Sequence, residues 1–159
     1  MSATYEWSET NGAGAVVTDG IANLNMGDID ETELTPADYP IGAEENAYEK
    51  YIRAKFSDSF TQISNMKFWK SVGAYKTGED VHAAKNVAYT QPVKTTSVVA
   101  TVTVPTEVGS ALAIQSAAGT TTITAPGYTK YICLQLQTTG STPAGALNTK
   151  TYTVQYDEI

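Results

Sequence analysis

The sequence predicts an all-β domain, an antiparallel β-sandwich with immunoglobulin-like or jelly-roll connections and an extended acidic N-terminal arm. Three observations predict it. Apolar side chains recur with a period of two, most clearly over Ile52-Arg-Ala-Lys-Phe56 and Tyr131-Ile-Cys-Leu-Gln-Leu-Gln-Thr138, which is the alternation of a strand with one buried face. Such runs are separated by Gly- and Pro-containing turns at roughly eight-to-twelve-residue spacing, the pattern of sandwiches and small barrels. Charged residues make up only 17% of the chain, and Thr, Ser, Gly and Ala are abundant. That mixture suits strands and turns better than surface helices.

Residues 1–47 hold Gly12, Gly14, Gly20, Gly27, Pro36, Pro40 and Gly42 among polar and acidic residues, which argues against a long regular element there. They are expected to form an extended arm with short strands, part of the same domain as the sandwich over 48–159. Val16-Val17 and Ile21-Ala-Asn-Leu24 are the apolar anchors of that arm, and Asp28-Ile-Asp-Glu-Thr-Glu33 is a loop. From Tyr48 the period changes to two, with Ile52, Ala54 and Phe56 on one face and Arg53 and Lys55 on the other. A second run passes through Phe60 and Ile63 and opposes Met66 and Phe68 to Lys67 and Trp69; Lys70 to Thr77 finishes it as a strand end or hairpin before Gly78. Glu79 to Asn86 is the one helix candidate, too short to be more than a connection. Val98 to Val104 alternates and stops at Pro105, and further strands are expected at Ala111 to Gln115, Thr120 to Ala125, Tyr131 to Thr138 and Lys150 to Tyr156. In the Tyr131 run, Ile132, Leu134 and Leu136 point one way, which marks a central strand with one face on the core. Tyr152, Val154 and Tyr156 share a face of the last strand.

A length of 159 residues fits one domain with one sizeable core. The net charge of −7 argues against a phosphate backbone as partner, so nucleic acid is not expected. The charge is unevenly spread. Met1 to Glu49 carries eleven carboxylates and no Lys or Arg, whereas Lys50 to Ala100 carries eight basic residues against Asp58, Glu79 and Asp80. Such asymmetry would let the acidic arm of one copy lie on a basic face of another, or simply give a solvated acidic surface. Cys133 is the only cysteine, which excludes an internal disulfide and a cysteine metal cluster. No signal-peptide-like run and no stretch near the roughly 18 apolar residues of a membrane span is present, so synthesis in a reducing cytoplasm and no membrane partner are expected.

The residues offer little chemistry. His82, the only histidine, has Asp80 and Glu79 nearby to orient it, but it reads as a solvated connector residue. Cys133 lies in an apolar run without a basic neighbour and reads as a structural thiol. Carboxylates are numerous enough to supply a glycosidase pair, although abundance alone does not argue for one. Asp28, Asp30, Glu31 and Glu33 are closest to a calcium loop, yet counting from Asp28 puts Glu33 and Tyr39 where an EF-hand needs Gly and Glu. Asn11-Gly-Ala-Gly14 lacks the spacing of a phosphate loop. No catalytic residue, cofactor or metal site is therefore assigned.

The aromatic residues are the remaining candidates, because Tyr and Trp join a large apolar area to a polar tip. Tyr5, Trp7 and Trp69, with the anchors Ile21 and Leu24, are the expected partner-binding residues. Trp7 is singled out as an anchor that a partner buries, since no core is expected in the arm; residues 1–12 are accordingly expected to be dispensable for folding.

Four stretches carry a resemblance: Ile21-Ala-Asn-Leu-Asn-Met-Gly27, Tyr48-Glu-Lys-Tyr-Ile-Arg-Ala-Lys-Phe56, Ile63-Ser-Asn-Met-Lys-Phe-Trp-Lys-Ser71 and Tyr152-Thr-Val-Gln-Tyr-Asp-Glu-Ile159. In them the chain resembles the small β-sandwich virion proteins of tailed bacteriophages. The resemblance implies a non-enzymatic structural protein of the virion, made in the bacterial host cytoplasm, that decorates or cements the capsid by clamping neighbouring subunits of the major capsid protein. It equally admits a collar, tail or fibre component bound to other virion proteins. It also implies a homo-oligomer, trimer or dimer, sharing apolar faces between copies. Independently of the resemblance, the exposed aromatics leave a carbohydrate-binding module open.

Overall fold

Period-two alternation places every second side chain on one face, and two such faces bury each other when sheets stack. A computed structural model, which describes residues 2–95 and 99–159, shows this arrangement as a β-sandwich. Among the described residues the strands are β1 (Thr4–Asn11), β2 (Val16–Asp19), β3 (Lys50–Ser57), β4 (Ile63–Val72), β5 (Glu79–Val87), β6 (Val102–Thr103), β7 (Leu112–Ala113), β8 (Gly127–Tyr128), β9 (Tyr131–Thr138) and β10 (Thr151–Glu158). The only helical element among them is a 3-10 turn at Val108–Ser110. The larger sheet has the order β2-β1-β3-β9-β5-β6, with β8 pairing along β3; the smaller has the order β10-β4-β7. The strand pairs are antiparallel.

The core follows from the alternation. Ile52, Ala54 and Phe56 of β3, Val81 and Ala83 of β5, and Ile132, Leu134 and Leu136 of β9 meet Ile63, Met66 and Phe68 of β4 and Val154 of β10. Two long strands carry an irregularity at an asparagine with positive φ, Asn65 in β4 (φ 51) and Asn86 in β5 (φ 59). The ladder register shifts beside each of them. Asn tolerates the left-handed conformation that a bulge requires better than most residues do.

The structure corrects several expectations. Glu79 to Asn86 is a strand, because Val81 and Ala83 face the core between β9 and β6, and that packing overrides the helix preference of Ala83-Ala84-Lys85. The strand expected over Val98 to Val104 is reduced to Val102–Thr103, and Val98 lies outside the described residues. Thr120 to Ala125 forms only an isolated bridge, Ile123 to Ile63. The arm expected over 1–47 divides in two. Thr4–Asn11 and Val16–Asp19 form a hairpin built into the larger sheet, with β1 paired to β3 over seven residues from Thr4 to Thr10. Residues 20–47 contain no strand and lie across the molecule as a loop.

β9 is central, yet both its faces are covered. Cys133 and Gln135, on the face away from the core, are fully buried. The segment 89–95 lies on that face, with Tyr89, Val99 and Ala100 packed near Tyr51 and Cys133. Backbone and side-chain hydrogen bonds hold it there: Glu49 N to Val93 O at 3.0 Å, and Gln135 Nε2 to Thr95 O at 2.8 Å.

Candidate functional site

The smaller sheet is too narrow to cover the inner face of the larger one. Segments 21–43 and 142–152 cover the remainder, and they leave a groove of about 1020 Å³ with Ile52, Val81 and Leu136 along its floor. Its walls are mainly apolar: Trp7, Ile21, Leu24, Ile41, Leu147 and Tyr152 are among them. That volume is at the upper end of known ligand sites, which run to about 1,000 Å³.

Local sequence explains why each wall stays in place. Ile21 N donates to Trp7 O at 3.1 Å, Asp28 N to Tyr39 O at 3.0 Å and Tyr48 N to Gly27 O at 3.0 Å. Gly27 is required there, since a Cβ would lie 2.7 Å from Tyr39 O and 3.0 Å from Leu34 Cδ1. Asn25 Nδ2 closes the same loop on Leu34 O at 2.8 Å. On the opposite wall, Thr139 N donates to Gly78 O at 3.0 Å and Asn148 Nδ2 to Ala74 O at 3.0 Å. Lys150 pairs with the buried carboxylate of Glu79, and its Nζ lies 5.3 Å from the centre of the Tyr75 ring. Burial, with the charge of Asp80 nearby, pushes the Tyr75 phenol up to about 12, and burial raises Tyr152 as well.

Of the five residues expected to bind a partner, Trp7, Ile21 and Leu24 come together at this groove. Trp7 is not the free anchor that the arm implied. It packs on the core, edge-on to Phe68 at 5.8 Å and to Tyr5 at 6.3 Å, because β1 is a sheet strand whose odd-numbered side chains face inward. Tyr5 remains 41% exposed beside Phe56 and Tyr156. Trp69 stands apart, half-buried on the other face of β4 from Phe68.

The acidic front half finds its counter-charges within the chain. Lys50 pairs with Glu9, Lys55 with Glu6 and Asp19, and Lys94 with Asp28 and Glu45. Burial would raise the carboxyl of Asp19, but hydrogen bonds from Lys55, Ser8 and Tyr128 outweigh it and hold the group below its ordinary value. The carboxylates compared with a calcium loop serve different partners. Asp28 holds Lys94, Asp30 accepts from Asn11 and Gly12, and Glu33 accepts from the amides of Ala22 and Asn23. Among the described residues no cluster of His, Cys, Asp and Glu has the arrangement to hold a metal ion.

His82 sits on β5, its Nε2 3.1 Å from Asp80 Oδ2, which also accepts from Thr103 Oγ1 at 2.7 Å. The hydroxyl therefore points at the carboxylate rather than at the imidazole, so the trio is no nucleophile relay. Cys133 is buried, and burial together with Glu49 pushes its thiol up, away from the reactive thiolate. Tyr51, Tyr89 and Tyr131 cluster on the same outer face with interplanar angles of 52° to 76°, not as a coplanar platform. Beside them the Arg53 guanidinium carbon lies over Tyr128, 3.8 Å from the ring centre, and 4.6 Å from that of Tyr131.

Reading the sequence missed the second wall of the groove, which has no periodicity, and the buried Lys50–Glu9 pair. A signal for the latter exists: Lys50 is in phase with Ile52, Ala54 and Phe56, so a strand begun one turn of the alternation earlier places a cation in the core. No protein-family model, curated protein or solved structure matches the chain.

Proposed function

We propose that this chain is a non-enzymatic structural protein of a tailed-bacteriophage virion, bound to the capsid surface as a decoration or cement protein that clamps neighbouring shell subunits. The observation that carries the binding reading is the apolar groove, which offers contact area bounded by Trp7, Ile21 and Leu24 with its one carboxylate, Glu79, neutralised by Lys150. The four stretches that resemble small virion proteins supply the kind of partner. An extended segment of the major capsid protein is the occupant that this reading assigns to the groove, with side chains rather than a new sheet edge providing the area. Exposed Val16 and Val17 on the edge strand β2, and Val72 at the end of β4, are the surfaces through which copies would associate.

The test is addition of the purified protein to shells that lack it. Saturable binding that raises the temperature of shell disruption is expected, because a ligand that binds only the intact state stabilises it by mass action. Absence of saturable binding overturns the reading. Copy number separates the two virion placements: a decoration protein follows the major capsid protein in large stoichiometry, while a collar, tail or fibre component is present in few copies.

A further inference from the structure

The buried group at the end of β1 and β3 has an arrangement that a plain ion pair does not need. The register Thr4↔Ser57 through Thr10↔Tyr51 continues to set Asn11 opposite Lys50, and Glu9 shares the inward face two residues before Asn11. Lys50 and Glu9 are fully buried and Asn11 is 9% exposed. Lys50 Nζ lies 2.8 Å from Glu9 Oε1, and Asn11 Nδ2 donates to that same oxygen at 2.9 Å. One carboxylate oxygen thus bridges an amine and a carboxamide. Asn11 Nδ2 also donates to Asp30 Oδ1 at 2.8 Å, while Asn11 Oδ1 accepts from Thr32 Oγ1 at 2.5 Å. Only this orientation of the amide satisfies two acceptor-only carboxylates on one side and a hydroxyl donor on the other. Lys50 Nζ donates further to the carbonyl of Glu31, and Glu9 Oε2 is buried without a hydrogen-bond partner.

We propose that Lys50 and Asn11 react to form an intramolecular isopeptide bond, with Glu9 carrying the protons and Thr32 steadying the carbonyl oxygen. Proton transfer from Lys50 to Glu9 turns two buried charges into two neutral groups, a change that a dry setting favours. The amine lone pair then attacks Asn11 Cγ, and the carbonyl π electrons move to Oδ1, where the Thr32 hydroxyl already donates. Glu9 gives its proton to Nδ2 and takes one from Nζ; the Cγ–Nδ2 bond breaks and ammonia leaves. The products are a secondary amide, one ammonia and a protonated Glu9. All atoms and charges are accounted for, and neither oxidant, metal nor water is consumed. Holding the amine and amide on one oxygen supplies the proximity that an otherwise slow aminolysis of an amide requires.

The competing reaction of an Asn-Gly pair, attack of the Gly12 nitrogen on Asn11 Cγ, is disfavoured because Gly12 N–H is held by Asp30 Oδ2 at 2.7 Å. The cross-link would close residues 12–49 into a covalent loop that contains one whole wall of the groove. This inference stands independently of what the groove binds.

The experiment is the intact mass of the full chain, measured after denaturation. The bond predicts a mass below the sequence mass by one ammonia, about 17 Da, and a branched peptide joining the segments that contain Asn11 and Lys50. Lys50→Arg and Glu9→Gln should restore the sequence mass, and Asn11→Asp should lose water instead of ammonia. The full sequence mass in the unaltered protein would overturn the proposal whether or not the variants fold. So would a deficit that persists in Lys50→Arg and maps to a linear Asn11-Gly12 peptide, the mark of a succinimide.

Discussion

The larger sheet is covered in two ways, and the two covers obey different rules. Over one part, strands β4 and β10 bring rings into contact: Phe68 stacks on Tyr152 at 5.6 Å and meets Trp7 edge-on, and Tyr156 meets Phe56 edge-on at 5.0 Å. Over the other part, segments 21–43 and 142–152 are tied down by backbone hydrogen bonds and an ion pair, and they reach the core only through partly buried side chains such as Leu24, Met26, Ile41 and Leu147. Strands satisfy their backbone on one another and free every inward side chain for packing. Loops must spend side chains and carbonyls on satisfying themselves, so fewer apolar groups reach the floor and an opening remains. The comparison teaches that the groove of this protein lies where sheet gives way to loop.

The largest expected effect comes from alkali, because it acts on the seam between both covers. Tyr75 and Tyr152 sit at that seam, and Tyr51 and Tyr89 under the outer cover; burial pushes all four phenols above the ordinary value of 10.0, with Tyr75 and Tyr89 at about 12. A phenol with a raised value keeps its proton longer in the folded state than in the unfolded one. Its contribution to stability is therefore whole below pH 10.0 and falls as pH rises through the folded values. The melting temperature should hold steady to pH 10.0 and then drop, with tyrosinate absorbance rising in step with loss of tertiary structure. Tyrosines that ionise at pH 10.0 without loss of structure would show that these hydroxyls are solvated and the seam open.

A pair of substitutions then separates the covers. Phe68 is fully buried among rings, so Phe68→Ala should cost about 3–5 kcal/mol in denaturant unfolding, the range for large-to-small changes in a packed core. Gly27→Ala forces a methyl to within 2.7 Å of Tyr39 O, a backbone atom that cannot step aside alone. It should cost about 1–3 kcal/mol, the range for overpacking. The discriminating readout is amide exchange: Phe68→Ala lowers protection throughout the sandwich, and Gly27→Ala chiefly in residues 21–43. Equal loss everywhere from Gly27→Ala would mean that the loop cover and the sheets unfold as one unit.

The same contrast explains what the sequence disclosed. Strands whose two faces differ were legible: β3, β4 and β10 alternate openly, and their inward residues are those of the core. β9 was legible as a central strand, but its second buried face was not, because Cys133 and Gln135 do not announce what covers them. β1 was hidden by Glu9, an acidic residue at an inward position that becomes tolerable only when Lys50 arrives from a distant part of the chain. β5 was hidden by Ala83 and Ala84, whose local preference yields to pairing on both sides. Of the site, the anchors Ile21 and Leu24 could be read from their apolar character within a polar stretch. The wall at 142–152 could not, since its place is set by long-range bonds such as Asn148 Nδ2 to Ala74 O. Removal of residues 1–12 should accordingly unfold the protein rather than spare it.

The smallest expected effect on stability is the most informative about binding. Leu24 is only half-buried and borders an opening that already exists, so Leu24→Ala creates no new cavity and loses only part of the transfer free energy of its side chain. The cost should be about 1 kcal/mol or less, well below that at Phe68, and the melting curve should keep its shape. Attachment to shells should fall much further, because a groove-lining apolar residue contributes most when a partner dries the surface around it. Titrating both proteins onto the same shells checks this. A Leu24→Ala protein that binds as tightly as the parent places the contact on another surface, with exposed Tyr5 and half-buried Trp69 the next residues to test.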